Sequence, residues 1–269
     1  MNHIISTYPS KVLGTSVTFH VLLPKSKPGP FQEAKQNGDS GPFQVLYLLH
    51  GAMESANDWI QNSRIAELAD ACDLAIVLPS VGNTFYLDAP DGLPVYSFVS
   101  HELYEYTHLI FPFSWNSSDN FIGGNSMGGY GACYAALRNP DQYSKVISLS
   151  GALDFYKATS FMHVLGAPFP PAFYHSKDPS YSLQALLRSS IARTPSGDPT
   201  HSPSFYLACS PSDFFYQANA AFAKDARQAG FPCEFCAADG GHDWNFWSEN
   251  IEPAIRWLKE DNRSCFSQS

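Results

Sequence analysis

Charge is what this chain of 269 residues has least of. Only 15% of its positions are Asp, Glu, Lys or Arg, against about 25% in a typical globular domain. The little charge present is unbalanced: 25 acidic residues face 16 basic ones, for a net charge of −9. Such a chain repels phosphate backbones and anionic lipid, which excludes nucleic acid and membrane surfaces as expected partners. Long hydrophobic runs are missing too. The longest strongly apolar run, Val45 to Leu49, falls far short of the ~20 residues of a spanning helix. Met1-Asn2-His3-Ile4-Ile5-Ser6 has no basic start leading into an apolar stretch, so a cytoplasmic location is expected. Cysteine is sparse, with six in the chain, which excludes a disulfide scaffold. Cys233 and Cys236 form the one C-x-x-C. They fall in a strand-like stretch where positions three apart face opposite ways, and no second pair completes a zinc site. They read as small buried apolar side chains, with no metal and no cofactor expected.

What replaces charge is rings: 20 Phe, 14 Tyr and 5 Trp, with 44% of the chain apolar. That composition and length suit a single domain over 1–269 with a large core. There is no internal repeat and no low-complexity tract. Residues 12 to 23 alternate like a strand pair about Gly14-Thr15, and 24 to 43 read as an exposed loop rich in Pro, Gly, Lys and Gln. Strands and helices then alternate. Strands are expected at 45–49, 74–78, 120–122, 146–149, 205–209 and 233–237; helices at 62–72, 98–110, 127–138, 216–229 and 247–259. The stretch from about 155 to 203, dense in Pro, Ser and aromatics, reads as an insertion of short helices after the sixth strand. Continuous apolar strands alternating with amphipathic helices predict an α/β fold, a mostly parallel sheet covered on both faces. Ligand sites in such sheets lie beyond the carboxyl ends of the strands.

Chemistry-bearing residues fall at those positions. Gly124-Asn125-Ser126-Met127-Gly128 is a G-x-S-x-G between an expected strand and an expected helix, the context of a nucleophile elbow. The serine occupies a strained turn that lifts its hydroxyl above the sheet, and side chains at 124 or 128 would meet neighbouring backbone. A serine hydroxyl is a poor nucleophile at neutral pH and needs a base. Of nine histidines, His242 is best placed, in Gly240-Gly241-His242-Asp243 between the last strand and the last helix. His50 is expected to order the loop that it precedes. The base in turn needs a carboxylate to hold its tautomer. Asp213, in Ser212-Asp213-Phe214 after the strand at 205–209, is favoured, with Asp154 as its rival; Asp243 is too close in sequence to reach the ring. The order Ser126, Asp213, His242 is that of the α/β-hydrolases. An oxyanion needs preorganised N–H donors, each worth roughly 3–4 kcal/mol. The expected ones are the backbone of Met127 and, from His50-Gly51-Ala52-Met53, that of Ala52, with Met53 in reserve.

With these residues in place, the chain resembles the tributyrin-esterase branch of the esterase D family, which includes S-formylglutathione hydrolases, feruloyl and acetylxylan esterases and mycolyltransferases. The resemblance runs over roughly 40 to 260. It is carried by Tyr47-Leu48-Leu49-His50-Gly51, by Gly124-Asn125-Ser126-Met127-Gly128-Gly129-Tyr130-Gly131 followed by Ser150-Gly151-Ala152-Leu153, by Ser212-Asp213-Phe214 with Ala218-Asn219, and by Gly241-His242-Asp243-Trp244 with Trp247. It implies the α/β-hydrolase fold, Ser126, Asp213 and His242 as the triad, and Ala52 and Met127 as oxyanion donors. Two departures stand out. Members acting on formylglutathione carry Ser-Gly-Leu-Thr where this chain has His50-Gly51-Ala52-Met53, and the segments 24–43 and 190–203 are longer than the family pattern.

The leading expectation is thus a serine carboxylesterase acting on a small-molecule ester, with the short acyl range, acetyl to butyryl, taken from the resemblance. The alternatives are a formylglutathione thioester hydrolase or feruloyl or acetyl-sugar esterase, an acyltransferase of the same fold, and a non-catalytic binding module. A homo-oligomer is compatible with the sequence. Phe85, Tyr86, Trp244 and Phe246, which follow strands, are candidate pocket walls.

Overall fold

The structure, a computed structural model, describes residues 1–25, 42–164, 166–174, 176–191 and 202–260. The strands are β1 (Asn2–Ser10), β2 (Thr15–Leu23), β3 (Gln44–Leu49), β4 (Leu74–Pro79), β5 (Asn120–Asn125), β6 (Lys145–Leu149), β7 (Ser204–Cys209) and β8 (Cys233–Ala237). They form one sheet in the order β1-β2-β4-β3-β5-β6-β7-β8. β1 and β2 pair antiparallel, as do β2 and β4; every pairing from β4 across to β8 is parallel.

The apolar runs explain this arrangement. A parallel strand buried on both faces must present apolar side chains to two layers. In β3, Val45, Tyr47 and Leu49 enter one core layer while Leu46 and Leu48 enter the other. The helices are α1 (Ala56–Asn62), α2 (Ile65–Ala71), α3 (Val95–Ser97), α4 (Tyr104–Ile110), α5 (Met127–Arg138), α6 (Phe155–Val164), α7 (Pro171–Tyr174), α8 (Leu183–Ile191), α9 (Tyr216–Gln228) and α10 (Trp244–Lys259). Trp59 of α1, Leu68 of α2 and Ile251 and Ile255 of α10 cover one face. Val95, Tyr130, Phe155, Phe173, Leu187 and Phe222, from α3 and α5 through α9, cover the other. Each fully buried side chain of this size contributes about 1.5–3 kcal/mol of transfer free energy. α5 lies against the middle of the sheet, buried along its whole length except at Arg138.

The expected alternation is present, with instructive differences. The strand pair lies earlier than expected. Gly14, at φ 65°, belongs to the turn, and the partner of β2 is β1, an edge strand in which only Tyr8 and Ser10 are buried and which carries Pro9, so its apolar signal is weak. The helix expected over 62–72 is α2, at Ile65–Ala71, while α1, which ends at Asn62, was not expected despite a capping box in which Ser55 and Asp58 satisfy each other's backbone N–H groups. The stretch expected as one helix over 98–110 begins at Val95 and is π-helical from Phe98 to Leu103. The last helix starts three residues early, at Trp244, because the Asp243 side chain caps it by accepting from the Phe246 N–H at 3.1 Å. The insertion carries short helices, as expected, and the Tyr130 hydroxyl of α5 donates to Tyr181 O at 2.7 Å to hold it down. Most of the long segments at 24–43 and 190–203 lies outside the described residues. Cys233 packs against one core layer and Cys236 against the other, and both are half-buried where buried side chains were expected, because β8 is the edge strand of the sheet. No helix among the described residues is long and apolar enough to cross a membrane.

The register places the site. β3 and β5 run in parallel with Leu49 opposite Gly124, which brings the loop after β3 beside the residue that ends the elbow strand. The ends of β7 and β8 close the same rim.

Candidate active site

Ser126 joins β5 to α5 with φ 50° and ψ −114°. A left-handed backbone at a residue with a side chain costs about 1–3 kcal/mol and persists where its surroundings over-determine it. They do so here. The Ser126 N–H donates to Leu149 O at 2.9 Å, and Ser126 O accepts from Tyr130 N–H at 3.2 Å and from Ala152 N–H at 3.0 Å. The fit extends to Gly128, where a Cβ would lie 2.7 Å from Leu49 C and 2.8 Å from His50 O.

His242 sits between β8 and α10, on a loop tied back by the Ser210 hydroxyl, which donates to Gly240 O at 2.6 Å. The Phe214 ring lies 4.4 Å from the imidazole, and Trp247 meets it edge-on at 5.2 Å. Its Nδ1 lies 2.8 Å from Asp213 Oδ2 and its Nε2 lies 3.0 Å from Ser126 Oγ. A carboxylate only accepts, so Nδ1 carries the proton and the lone pair of a neutral ring is left on Nε2, facing the hydroxyl. Asp213 is equally fixed: the Phe215 N–H donates to its Oδ1 at 2.8 Å, which leaves Oδ2 for the imidazole. Burial pushes the Asp213 carboxyl up. The His242 hydrogen bond and charge, the Phe215 N–H and the nearby Ser150 hydroxyl more than offset that, and its pKa falls below the ordinary value. Asp154 is not at this site; its Oδ1 accepts from Lys157 N–H at 3.1 Å in the first turn of α6. Asp243 serves as the cap of α10.

The loop after β3 is held one peptide at a time. The Tyr86 hydroxyl donates to His50 O at 3.1 Å, and His50 Nδ1 donates to Gly51 O at 2.7 Å. His50 Nε2 accepts from Val81 N–H at 3.2 Å. Burial lowers the His50 pKa against the opposing pull of Gly51 O and Asp58, which keeps the ring in that neutral tautomer. In a trans peptide the carbonyl and the next N–H point opposite ways, so the bond to Gly51 O aims the Ala52 N–H away from His50. The Met53 N–H donates to Asn83 Oδ1 at 2.7 Å, which removes the reserve donor. Asn83 Nδ2 in turn donates to Pro168 O of the insertion at 3.2 Å. Among the described residues no hydrogen bond takes up the N–H of Ala52 or of Met127.

A cavity of about 330 Å³ opens over Ser126 and His242. Its other walls include Met53, Glu54, Phe161, Met162, Phe214 and Trp247. The four aromatics expected as walls are elsewhere. The chain doubles back at Phe85 and Tyr86, with φ 51° and 56°, and both rings enter the core. Phe246 is buried under the opposite face, and Trp244 packs edge-on against Trp59 at 5.0 Å. A hydroxyl, a base and a buried carboxylate in series, beside two uncommitted N–H groups and an apolar cavity, form an arrangement that can attack a carbonyl and hold the resulting oxyanion. No group of three or more His, Cys, Asp or Glu among the described residues could hold a metal ion.

The Esterase family model matches residues 10–258. The chain belongs to this esterase family. An acetyl esterase of Caldicellulosiruptor saccharolyticus is 31% identical over 265 residues, covering 93% of this chain and 96% of that protein. FphF, a fluorophosphonate-binding serine hydrolase of Staphylococcus aureus solved with substrate bound, superposes with a TM-score of 0.83 at 28% identity, covering 96% of this chain and 98% of that one. The S-formylglutathione hydrolase FrmB of the same organism superposes with a TM-score of 0.80 at 26% identity, again over 96% and 98%. The esterase is thus an ester-hydrolysing enzyme of the α/β-hydrolase fold, a carboxylesterase acting on small-molecule esters. Sequence reasoning missed the walls Phe161 and Met162, because nothing in an insertion says which way its helices face. Phe214 and Trp247 were within reach, since they lie one residue beyond Asp213 and five beyond His242.

Proposed function

We propose that the esterase hydrolyses short-chain acyl esters, acetyl to butyryl, through an acyl-enzyme on Ser126. As the Ser126 hydroxyl attacks the ester carbonyl, His242 Nε2 takes its proton. Asp213 holds the Nδ1–H tautomer and balances the imidazolium. The N–H groups of Ala52 and Met127 receive the oxyanion. His242 then returns the proton to the departing alcohol, and water, activated by the same imidazole, releases the acid. The observation that carries this reading is the unbroken chain from Ser126 Oγ through His242 to Asp213, at 3.0 and 2.8 Å, at the floor of a cavity.

The cavity also bears on the thioester alternative. Its described walls include no lysine or arginine, and their one carboxylate besides the site is Glu54. A glutathione conjugate brings carboxylates of its own, which such walls repel. The alkyl and aryl esters of small acids carry no such charge. A series of p-nitrophenyl esters from acetate to octanoate, with formylglutathione and a feruloyl ester, measured on wild type and on Ser126→Ala, tests the reading. Highest kcat/KM is expected from acetate to butyrate, with loss of at least ~10³-fold in Ser126→Ala. Activity that survives the substitution would remove the mechanism. Added sugar or alcohol acceptors that divert the acyl group from water would point to transfer instead.

A further inference from the structure

Glu54 is the carboxylate on the cavity wall that the mechanism leaves unused. One of its oxygens, Oε2, accepts two hydrogen bonds, from Gly51 N–H at 2.7 Å and from Asn125 Nδ2 at 2.9 Å. Gly51 immediately precedes Ala52, and Asn125 immediately precedes Ser126. The contact is close on all sides, since a Cβ at Gly51 would lie 2.8 Å from that oxygen and 2.9 Å from Asn125 Nδ2. Among the described residues Asn125 has no other side-chain partner: its Oδ1 is buried without a hydrogen bond. The amide is therefore oriented by Glu54 alone, because turning it over would set one acceptor against another.

We propose that Glu54 is a positioning residue that fixes the spacing between the two oxyanion donors by tying the Ala52 loop to the strand carrying Ser126. The proposal rests on the reading of Ala52 and Met127 as those donors. His50, Tyr86 and Asn83 set how the loop peptides are turned, but they anchor the loop to itself, to the segment after β4 and to the insertion. Glu54 connects it to the elbow. An oxyanion hole works only when both N–H groups converge on the position the oxygen will occupy, so a loop that is correctly folded but displaced loses rate without losing the substrate. Burial raises the Glu54 pKa, while the two donors and His242 pull it back and Asp58 adds to the rise. The bonds that hold the loop thus also spread the carboxylate's charge beside a site where negative charge develops.

The test compares an oxygen ester with its thiono counterpart, in which C=S replaces C=O. Sulfur accepts hydrogen bonds poorly and sits farther from carbon, so the thiono ester draws little from the donors. In Glu54→Ala, kcat on p-nitrophenyl acetate is expected to fall ~10–100-fold, part of the 10²–10³ lost when a donor is removed outright. KM should stay within about 3-fold, and the thiono ester should slow far less than the oxygen ester. Glu54→Gln keeps an oxygen for the same two donors and should recover most of the rate. The proposal is overturned if Glu54→Ala keeps wild-type kcat, if both esters slow by the same factor, or if Glu54→Gln is as slow as Glu54→Ala. Should Glu54→Ala fail to fold, Glu54→Asp, whose shorter side chain cannot span both partners, carries the same comparison. A Ser126→Ala control separates the layers: turnover that survives it sinks the Ser126 mechanism, whereas an inert Ser126→Ala beside a fully active Glu54→Ala sinks only the positioning role.

Discussion

The rim of the sheet has two sides built in opposite ways. On the elbow side, Ser126 and Met127 are buried and Gly128 has no room for a methyl group. Backbone hydrogen bonds from β6 and from the segment after it lock the turn. On the insertion side the helices are short, Val164 of α6 is 83% exposed, and Phe161 packs at a tilt on the partly exposed Phe214, with ring centroids 4.8 Å apart. Met53 stands out into solvent across from them. The contrast teaches where each task is housed. A hydroxyl that must meet an imidazole within a few tenths of an ångström is held by the central strands. An apolar acyl or alcohol group needs contact area more than direction, and the walls that the proposed function assigns to it are side chains less tightly held.

Three experiments press on that contrast. The largest effect should come from the rigid side. Asp213→Asn keeps the shape but lets the imidazole take the wrong tautomer, and kcat is expected to fall ~10³–10⁴-fold with KM little changed. A loss under tenfold in steady-state rates would mean that the carboxylate is not what orients His242. A smaller effect should come from the adaptable side. Phe161→Ala removes one apolar wall, so KM for butyrate and longer esters should rise about 3–10-fold while kcat on acetate stays within about 2-fold. A collapse of kcat on acetate would show that the insertion builds the reacting geometry as well. The smallest effect is on stability in acid. The folded pKa of Asp213 lies below its ordinary value, so its contribution is complete above the unfolded value of about 3.9 and is lost as pH falls through the folded one. Melting temperature should therefore drop more steeply below about pH 4 in wild type than in Asp213→Asn, and parallel curves would contradict the assignment.

The same contrast governs what the sequence discloses. The central strands announce themselves because burial on both faces forces unbroken apolar runs such as Val45 to Leu49 and Leu74 to Leu78, and the loops that follow them are where the reactive side chains had to be sought. β1 is quiet because an edge strand needs few apolar residues, and α1 because it is two turns long, although Ser55 and Asp58 mark its start. The proposed triad of Ser126, His242 and Asp213, which the structure joins by hydrogen bonds, could be named from chain order, since each follows a strand. Glu54 could not: its meaning comes from two partners, one three residues back and the other 71 residues ahead, and only the register of β3 against β5 brings them together. The pocket walls were hidden for a related reason. Phe85 and Tyr86 follow a strand just as site residues do, but two successive left-handed residues turn them inward.

Asn83 grips the Met53 N–H with its oxygen and Pro168 O with its nitrogen. That one amide is a strut between the insertion that walls the cavity and the loop that carries the proposed oxyanion donor Ala52. Exchanging the insertion for another, to admit a different guest, therefore also removes a brace from the neighbouring turn. A graft that offers no acceptor at position 168 should leave the Met53 end of that turn slack, however well its new walls suit the molecule they were chosen for.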